Sequence, residues 1–258
     1  MSRIKNAFNG KKAFIGFITA GDPDLAKTEE FVLEMERAGA SIIELGIPFS
    51  DPVAEGRVIQ NANVRSLLAG CTTDKIFEMV KNLRTKTQIP LVFLAYANTL
   101  YRYGYEKFCE RCSETGIDGF IIPDLPFEEK SELSGIAARH GIDLISMVSP
   151  VSGQRIQMIA KEAEGFIYIV SSMGVTGTRD TIQTNIQAIV NTIREVTDVP
   201  VAVGFGINTK EQAAQYIQYT DGIIVGSAIV KIVEKYGKEA GEHIYSYISE
   251  MVEAAGIK

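Results

Sequence analysis

Short apolar runs recur along the chain, each followed by turn residues and then by a stretch whose apolar positions fall three and four apart. Runs of this length predict buried strands, and the three-and-four spacing predicts amphipathic helices. Strands are expected at residues 13–19, 41–46, 91–96, 119–122, 143–148, 165–170, 201–204 and 222–225. Helix signals fit between them. Asp22 is placed to cap a helix with Pro23 in its first position, after which Phe31, Val32, Met35 and Ala38 share one face. Gly39, Gly116, Gly141 and Gly165 follow helical stretches, where left-handed caps are expected. Eight strand–helix units of about 30 residues fill the length, which favours a single α/β domain over residues 1–258, a closed (β/α)8 TIM barrel. An open doubly wound sheet has only about five or six strands. In a barrel, chemistry gathers in the loops after the C-terminal strand ends.

Composition narrows the classes. Of 258 residues, 46% are hydrophobic and 22% charged, enough for a large core and a solvated surface. The longest apolar runs, 90–97 and 199–207, fall short of the roughly 18 to 20 residues that cross a bilayer. Residues 1–14 carry cations but no apolar signal core, so a cytoplasmic location is expected. The net charge of −6 is spread without a basic block, which argues against nucleic acid as a partner. Cys71, Cys109 and Cys112 are too few and too uneven for a disulfide framework. Cys109 and Cys112 form a CxxC, but with no second pair at ligand spacing they read as packing, and no metal site is expected. His140 and His243 sit in helical segments, with surface or packing roles.

Glu44 stands inside the expected strand Ser41-Ile42-Ile43-Glu44-Leu45-Gly46. Strand periodicity puts Ile43 and Leu45 on one face and Ile42, Glu44 and Gly46 on the other, and both faces of a barrel strand are covered. Enclosure disfavours the charged carboxylate and raises its pKa, which suits a group that gives and takes protons near neutral pH. A Glu paired with an internal Lys or Arg is the plainer alternative, but the expected strands contain neither. Asp51 and Glu55 follow in the next loop.

Three glycine-bearing loops follow the last three strands: Ser171 to Asp180, Gly204-Phe205-Gly206-Ile207-Asn208, and Gly226-Ser227, which opens a helix. Glycines let main-chain donors approach an anion, and a helix start after the eighth strand adds its dipole. One such loop also serves as a simple turn; three together point to a substrate with one phosphate end.

The segment Glu44-Leu45-Gly46-Ile47-Pro48-Phe49-Ser50-Asp51-Pro52 closely resembles the signature of tryptophan synthase alpha subunits. Residues 14–23, Tyr96-Ala97-Asn98, Pro123-Asp124-Leu125-Pro126, Gly174-Val175-Thr176-Gly177, Gly204-Phe205-Gly206-Ile207 and residues 225–230 continue the resemblance in the family's order, over nearly the whole chain. It implies a lyase of tryptophan biosynthesis that splits indole-3-glycerol phosphate into indole and glyceraldehyde 3-phosphate by a retro-aldol step without Schiff base or metal. Glu44 then protonates C3 of the indole and takes the proton of the glycerol hydroxyl. Tyr168 matches an active-site tyrosine beside it, and Thr176 a threonine whose loop closes toward a second acid. Gly177, Gly206, Gly226 and Ser227 match phosphate-binding positions. Phe17, Leu94 and Ile121 fall where the family lines its indole pocket, although a core role reads the same in sequence. The implied partner is a pyridoxal-phosphate-bearing beta subunit in an alpha2-beta2 complex, faced by loops that include Asp51-Pro52 and residues 96–99, and no cofactor is implied for this chain.

Glu55 occupies the position of the family's second catalytic aspartate, and Arg57 a position often held by proline. The charge is kept at 55 and the reach lengthened, so Glu55→Asp is expected to keep or raise activity. Two alternatives stay open on the residues alone: another sugar-phosphate barrel isomerase or epimerase, and an alpha-like subunit with weakened catalysis that acts mainly on its partner.

Overall fold

The computed structural model describes residues 2–150, 153–170, 179–204 and 206–257, with only the backbone of 179–185. Eight strands form it: β1 (Ala13–Thr19), β2 (Ile42–Gly46), β3 (Leu91–Leu94), β4 (Gly119–Ile121), β5 (Asp143–Val148), β6 (Glu164–Val170), β7 (Val201–Gly204) and β8 (Gly222–Val225). Each pairs in parallel with the next and β8 pairs with β1, which closes a TIM barrel in sequence order. The outer layer is built from α1 (Arg3–Ala7), α2 (Leu25–Arg37), α3 (Arg57–Leu68), α4 (Thr73–Leu83), α5 (Ala97–Tyr103), α6 (Tyr105–Thr115), α7 (Ser131–Arg139), α8 (Gly153–Lys161), α9 (Arg179–Arg194), α10 (Lys210–Tyr216), α11 (Ser227–Tyr236) and α12 (Gly241–Ala254).

Strand alternation divides the core into two shells. Ile43 and Leu45 pack outward with helix residues such as Phe31, Met35 and Phe77, whereas Ile15, Ile42, Val92, Ile121, Phe166 and Ile224 fill the barrel interior. Helix α1 closes the N-terminal end of that interior, with Ile4 fully buried and the Phe8 ring 5.8 Å from that of Phe166. Beside it, Asp118 accepts from Arg3 and Arg84, each at 2.8 Å. The barrel is thus sealed below, and its open end lies at the C-terminal strand ends.

One expected cap is displaced. Helix α2 is capped by Asp24, whose Oδ1 accepts from the Lys27 amide at 2.8 Å. Asp22 is buried and held instead by Arg65, at 2.9 Å from Nε and 2.8 Å from Nη2, so Pro23 precedes the helix. Three glycine caps are as expected, with φ of +101° at Gly39, +87° at Gly116 and +70° at Gly141, whereas Gly165, at +61°, lies inside β6 rather than at the end of α8.

Cys109 and Cys112 are buried on α6, and burial pushes the Cys109 thiol up to about 11 and raises the Cys112 thiol well above its ordinary value, so both remain protonated packing residues. His140 Nε2 meets Glu106 Oε1 at 2.8 Å, and His243 stacks on Tyr236 with ring centroids 3.6 Å apart. Among the described residues, no helix is long and apolar enough to cross a membrane and no acidic, His and Cys cluster of metal-binding size occurs.

Candidate active site

At the open end of the barrel lies a cavity of about 680 Å³. Its wall brings together Phe17, Glu44, Glu55, Leu94, Tyr168, Gly206, Gly226 and Ser227, which stand far apart in sequence. Ile121 is fully buried in the barrel interior, and its neighbour Ile122 reaches the wall instead. Thr176 and Gly177 lie outside the described residues.

Glu44 is held by β2 between Phe17 on β1 and Val92 on β3. It is 1% exposed, and its Oε1 has no hydrogen-bond partner among the described residues. With no compensating cation among the described residues, burial raises its pKa to about 8, as the absence of Lys and Arg from the strands implied. Such a carboxyl is mostly protonated at neutral pH and still close enough to its pKa to release the proton. Tyr168 on β6 is also buried, and burial followed by the nearby Glu44 charge pushes its phenol well above the ordinary tyrosine value. The hydroxyl therefore stays a donor.

Two glycines make space for these side chains. A Cβ at Gly204 on β7 would lie 2.4 Å from the Tyr168 hydroxyl, and one at Gly46 would lie 2.7 Å from Cζ of Phe17. Only a residue without a side chain lets each aromatic ring occupy its place in the cavity wall.

Glu55 stands in the loop between β2 and α3, partly buried. Asn63, one of the few buried polar residues of α3, donates from Nδ2 to Glu55 Oε2 at 2.9 Å, and Gln60 donates to the Glu55 carbonyl at 2.7 Å. Tyr96 faces the same loop: its hydroxyl accepts from the Ala54 amide at 3.2 Å, and its ring stacks on Phe49 with centroids 5.2 Å apart. Desolvation raises the Glu55 pKa, while Asn63 and the Tyr96 hydroxyl act in the opposite sense.

The anion end is built by β7, β8 and α11. Gly226 is the N-cap of α11 and offers no side-chain cap, so the first amides of the helix are left to a ligand. Gly206 adopts φ of +81°, a conformation that turns the backbone of the neighbouring loop into the cavity wall. Asn63 and the cavity-lining Lys231 were not singled out as functional from sequence, and Tyr96 only as part of a loop expected to face the partner. Tyr96 falls within a family-like segment, but nothing in the order of residues says that its hydroxyl meets the loop before α3.

The model of the tryptophan synthase alpha chain family matches residues 4–255. The chain belongs to that family. A tryptophan synthase alpha chain of Lacticaseibacillus casei is 45% identical over 258 residues, covering 100% of this chain and 97% of its own. That of Alkaliphilus metalliredigens is 46% identical, with 98% of each chain covered. Among solved structures, the alpha subunit of Legionella pneumophila strain Paris superposes with a TM-score of 0.90 at 34% identity, covering 99% of both chains. A chain from the tryptophan synthase complex of Pyrococcus furiosus gives 0.85 at 33% identity, covering 94% of this chain and 99% of that one. Tryptophan synthase alpha chains are lyases acting on indole-3-glycerol phosphate.

Proposed function

We propose that this alpha chain cleaves indole-3-glycerol phosphate within its one barrel domain, using Glu44 as the acid–base group, Glu55 as the second carboxylate and the Gly206 and Gly226–Ser227 loops as the phosphate cradle. The observation that carries this reading is a buried, unpaired carboxyl in the wall of the cavity that those loops also line. Neutral Glu44 donates its proton to C3 of the indole ring, which makes the ring an electron sink. The carboxylate so formed takes the proton of the adjacent glycerol hydroxyl as the carbon–carbon bond breaks. Indole leaves with its proton on C3, and the three-carbon fragment leaves as the aldehyde. Glu55 stabilises the indole nitrogen while it carries positive charge, and Tyr168 stands near Glu44 as a neutral phenol. Phe17 and Leu94 give the ring an apolar wall. Ile121 supports that wall from beneath.

The chemistry asks for no cofactor from this chain. Pyridoxal phosphate belongs, in this reading, to the beta subunit of an alpha2-beta2 complex, and the location is cytoplasmic. Exposed Val53 and Tyr101, at 79% and 72%, lie near the loops expected to face that partner. The test is indole formation from indole-3-glycerol phosphate by the purified chain, alone and with a beta subunit. Turnover by the chain that rises with the partner is expected. A complete absence of indole in both conditions contradicts the assignment.

A further inference from the structure

Among the described residues, four cationic side chains line the cavity, and they are of two kinds. Lys130 donates to the Glu162 carbonyl at 2.7 Å and Arg155 to the Glu128 carboxylate at 2.6 Å, so both are tied to the protein. Arg57 and Lys231 are exposed and have no carboxylate partner among the described residues. Arg57 is the first residue of α3, and Lys231 lies about one turn beyond Ser227 on α11.

These helices are packed side by side. Ala62 and Val230 bury together against Phe17, and Arg65 Nη1 meets Glu234 Oε1 at 3.1 Å. Matching 62 with 230 and 65 with 234 means that the helices run in the same direction, so their starts stand together at the cavity. Neither start carries an acidic first turn or a side-chain cap. A cation at the positive pole of a helix is unfavourable, and two helix starts with two unpaired cations compound that cost in the empty protein. The field calls for an anion. The cavity independently holds a buried polar atom without a partner among the described residues, Oε1 of Glu44, aimed at a polar group of a ligand.

The net charge of −6 repels a phosphate monoester, which carries close to two negative charges at neutral pH, and uncharged main-chain donors leave that charge uncompensated. We propose that Arg57 and Lys231 are the counter-charges for the phosphate end of the substrate, adding ionic attraction to the directional hydrogen bonds of the glycine loops. This rests on the reading of the Gly206 and Gly226–Ser227 loops as a phosphate cradle.

The test is calorimetric titration of the full chain with sn-glycerol 3-phosphate and with inorganic phosphate, at low and high salt. Arg57→Gln and Lys231→Gln are each expected to weaken both ligands about five- to tenfold and to flatten the salt dependence. KM for indole-3-glycerol phosphate should rise by a similar factor with a smaller change in kcat, and Lys231→Arg should restore binding. Lys235→Gln removes a cation from the same helix outside the cavity and should bind like wild type. A wild-type chain that binds neither probe contradicts the cradle itself. Wild-type binding that persists unchanged in both Gln variants overturns the counter-charge role and leaves the cradle standing.

Discussion

Asn63 reaches back from α3 to donate a hydrogen bond to Glu55 Oε2 at 2.9 Å, which fixes the Glu55 carboxylate from a buried position. The longer acid is thus matched to a donor rather than left loose in a loop. Asn63→Ala should lower kcat by about 10- to 100-fold, since displacement of a catalytic group by about 1 Å costs on that order. The Glu55 pKa, already raised by burial, should rise further without the Asn63 amide. Steady-state pH profiles of wild type and variant check both effects.

The same contact changes the expectation for Glu55→Asp. Shortening the side chain draws the carboxylate away from Asn63 and from the Tyr96 hydroxyl, so a loss of about tenfold or more is predicted rather than a gain. Activity equal to or above wild type would show that the clamp does not set catalysis.

Glu44 also makes stability depend on pH. Its folded pKa of about 8 lies above the ordinary value of 4.5, so the fold holds the proton more tightly than the unfolded chain does. The contribution of neutral Glu44 is complete below pH 4.5 and is lost as pH rises through 8. At pH 7 the burial penalty is on the order of 3 kcal/mol, and Glu44→Gln should recover much of it. Urea denaturation at pH 5 and pH 8 tests this: the variant should gain most at the higher pH.

Catalysis should follow the same titration. Protonation of the indole ring needs neutral Glu44, so kcat is expected to fall above about pH 8, tenfold per pH unit once that group alone limits the rate. A profile flat to pH 10 contradicts Glu44 as the acid.

Gly204→Ala places a Cβ 2.4 Å from the Tyr168 hydroxyl, where backbone and ring cannot both stay. A stability loss of about 1 to 3 kcal/mol is predicted, with reduced kcat. Tyr168→Phe removes the clashing oxygen, so the double variant should recover part of the stability. Additive losses would show that the two residues do not meet.

Much of this was legible along the chain because barrel strands are buried on both faces and interrupted by glycines that have few other uses. All eight strands appear at the expected places, with shifts of one or two residues at some ends. Glu44 was readable because a carboxylate within an apolar strand has no plain reason to be there. Asp22 was misread as a cap because its partner, Arg65, lies 43 residues away. Asn63 and Lys231 gave no signal, since polar residues on helices ordinarily face water, and only the fold brings Asn63 to Glu55 and Lys231 to the cavity. Ile121 shows the converse limit: an apolar strand residue beneath a pocket and one in its wall look the same in sequence.

The most direct measurement is single-turnover indole release by Glu44→Gln, beside its affinity for sn-glycerol 3-phosphate. Release should fall by at least about 100-fold, with phosphate-ligand affinity within about twofold of wild type, because the proton is lost and the anion loops are untouched. Indole release near the wild-type rate contradicts the central role of the buried carboxyl.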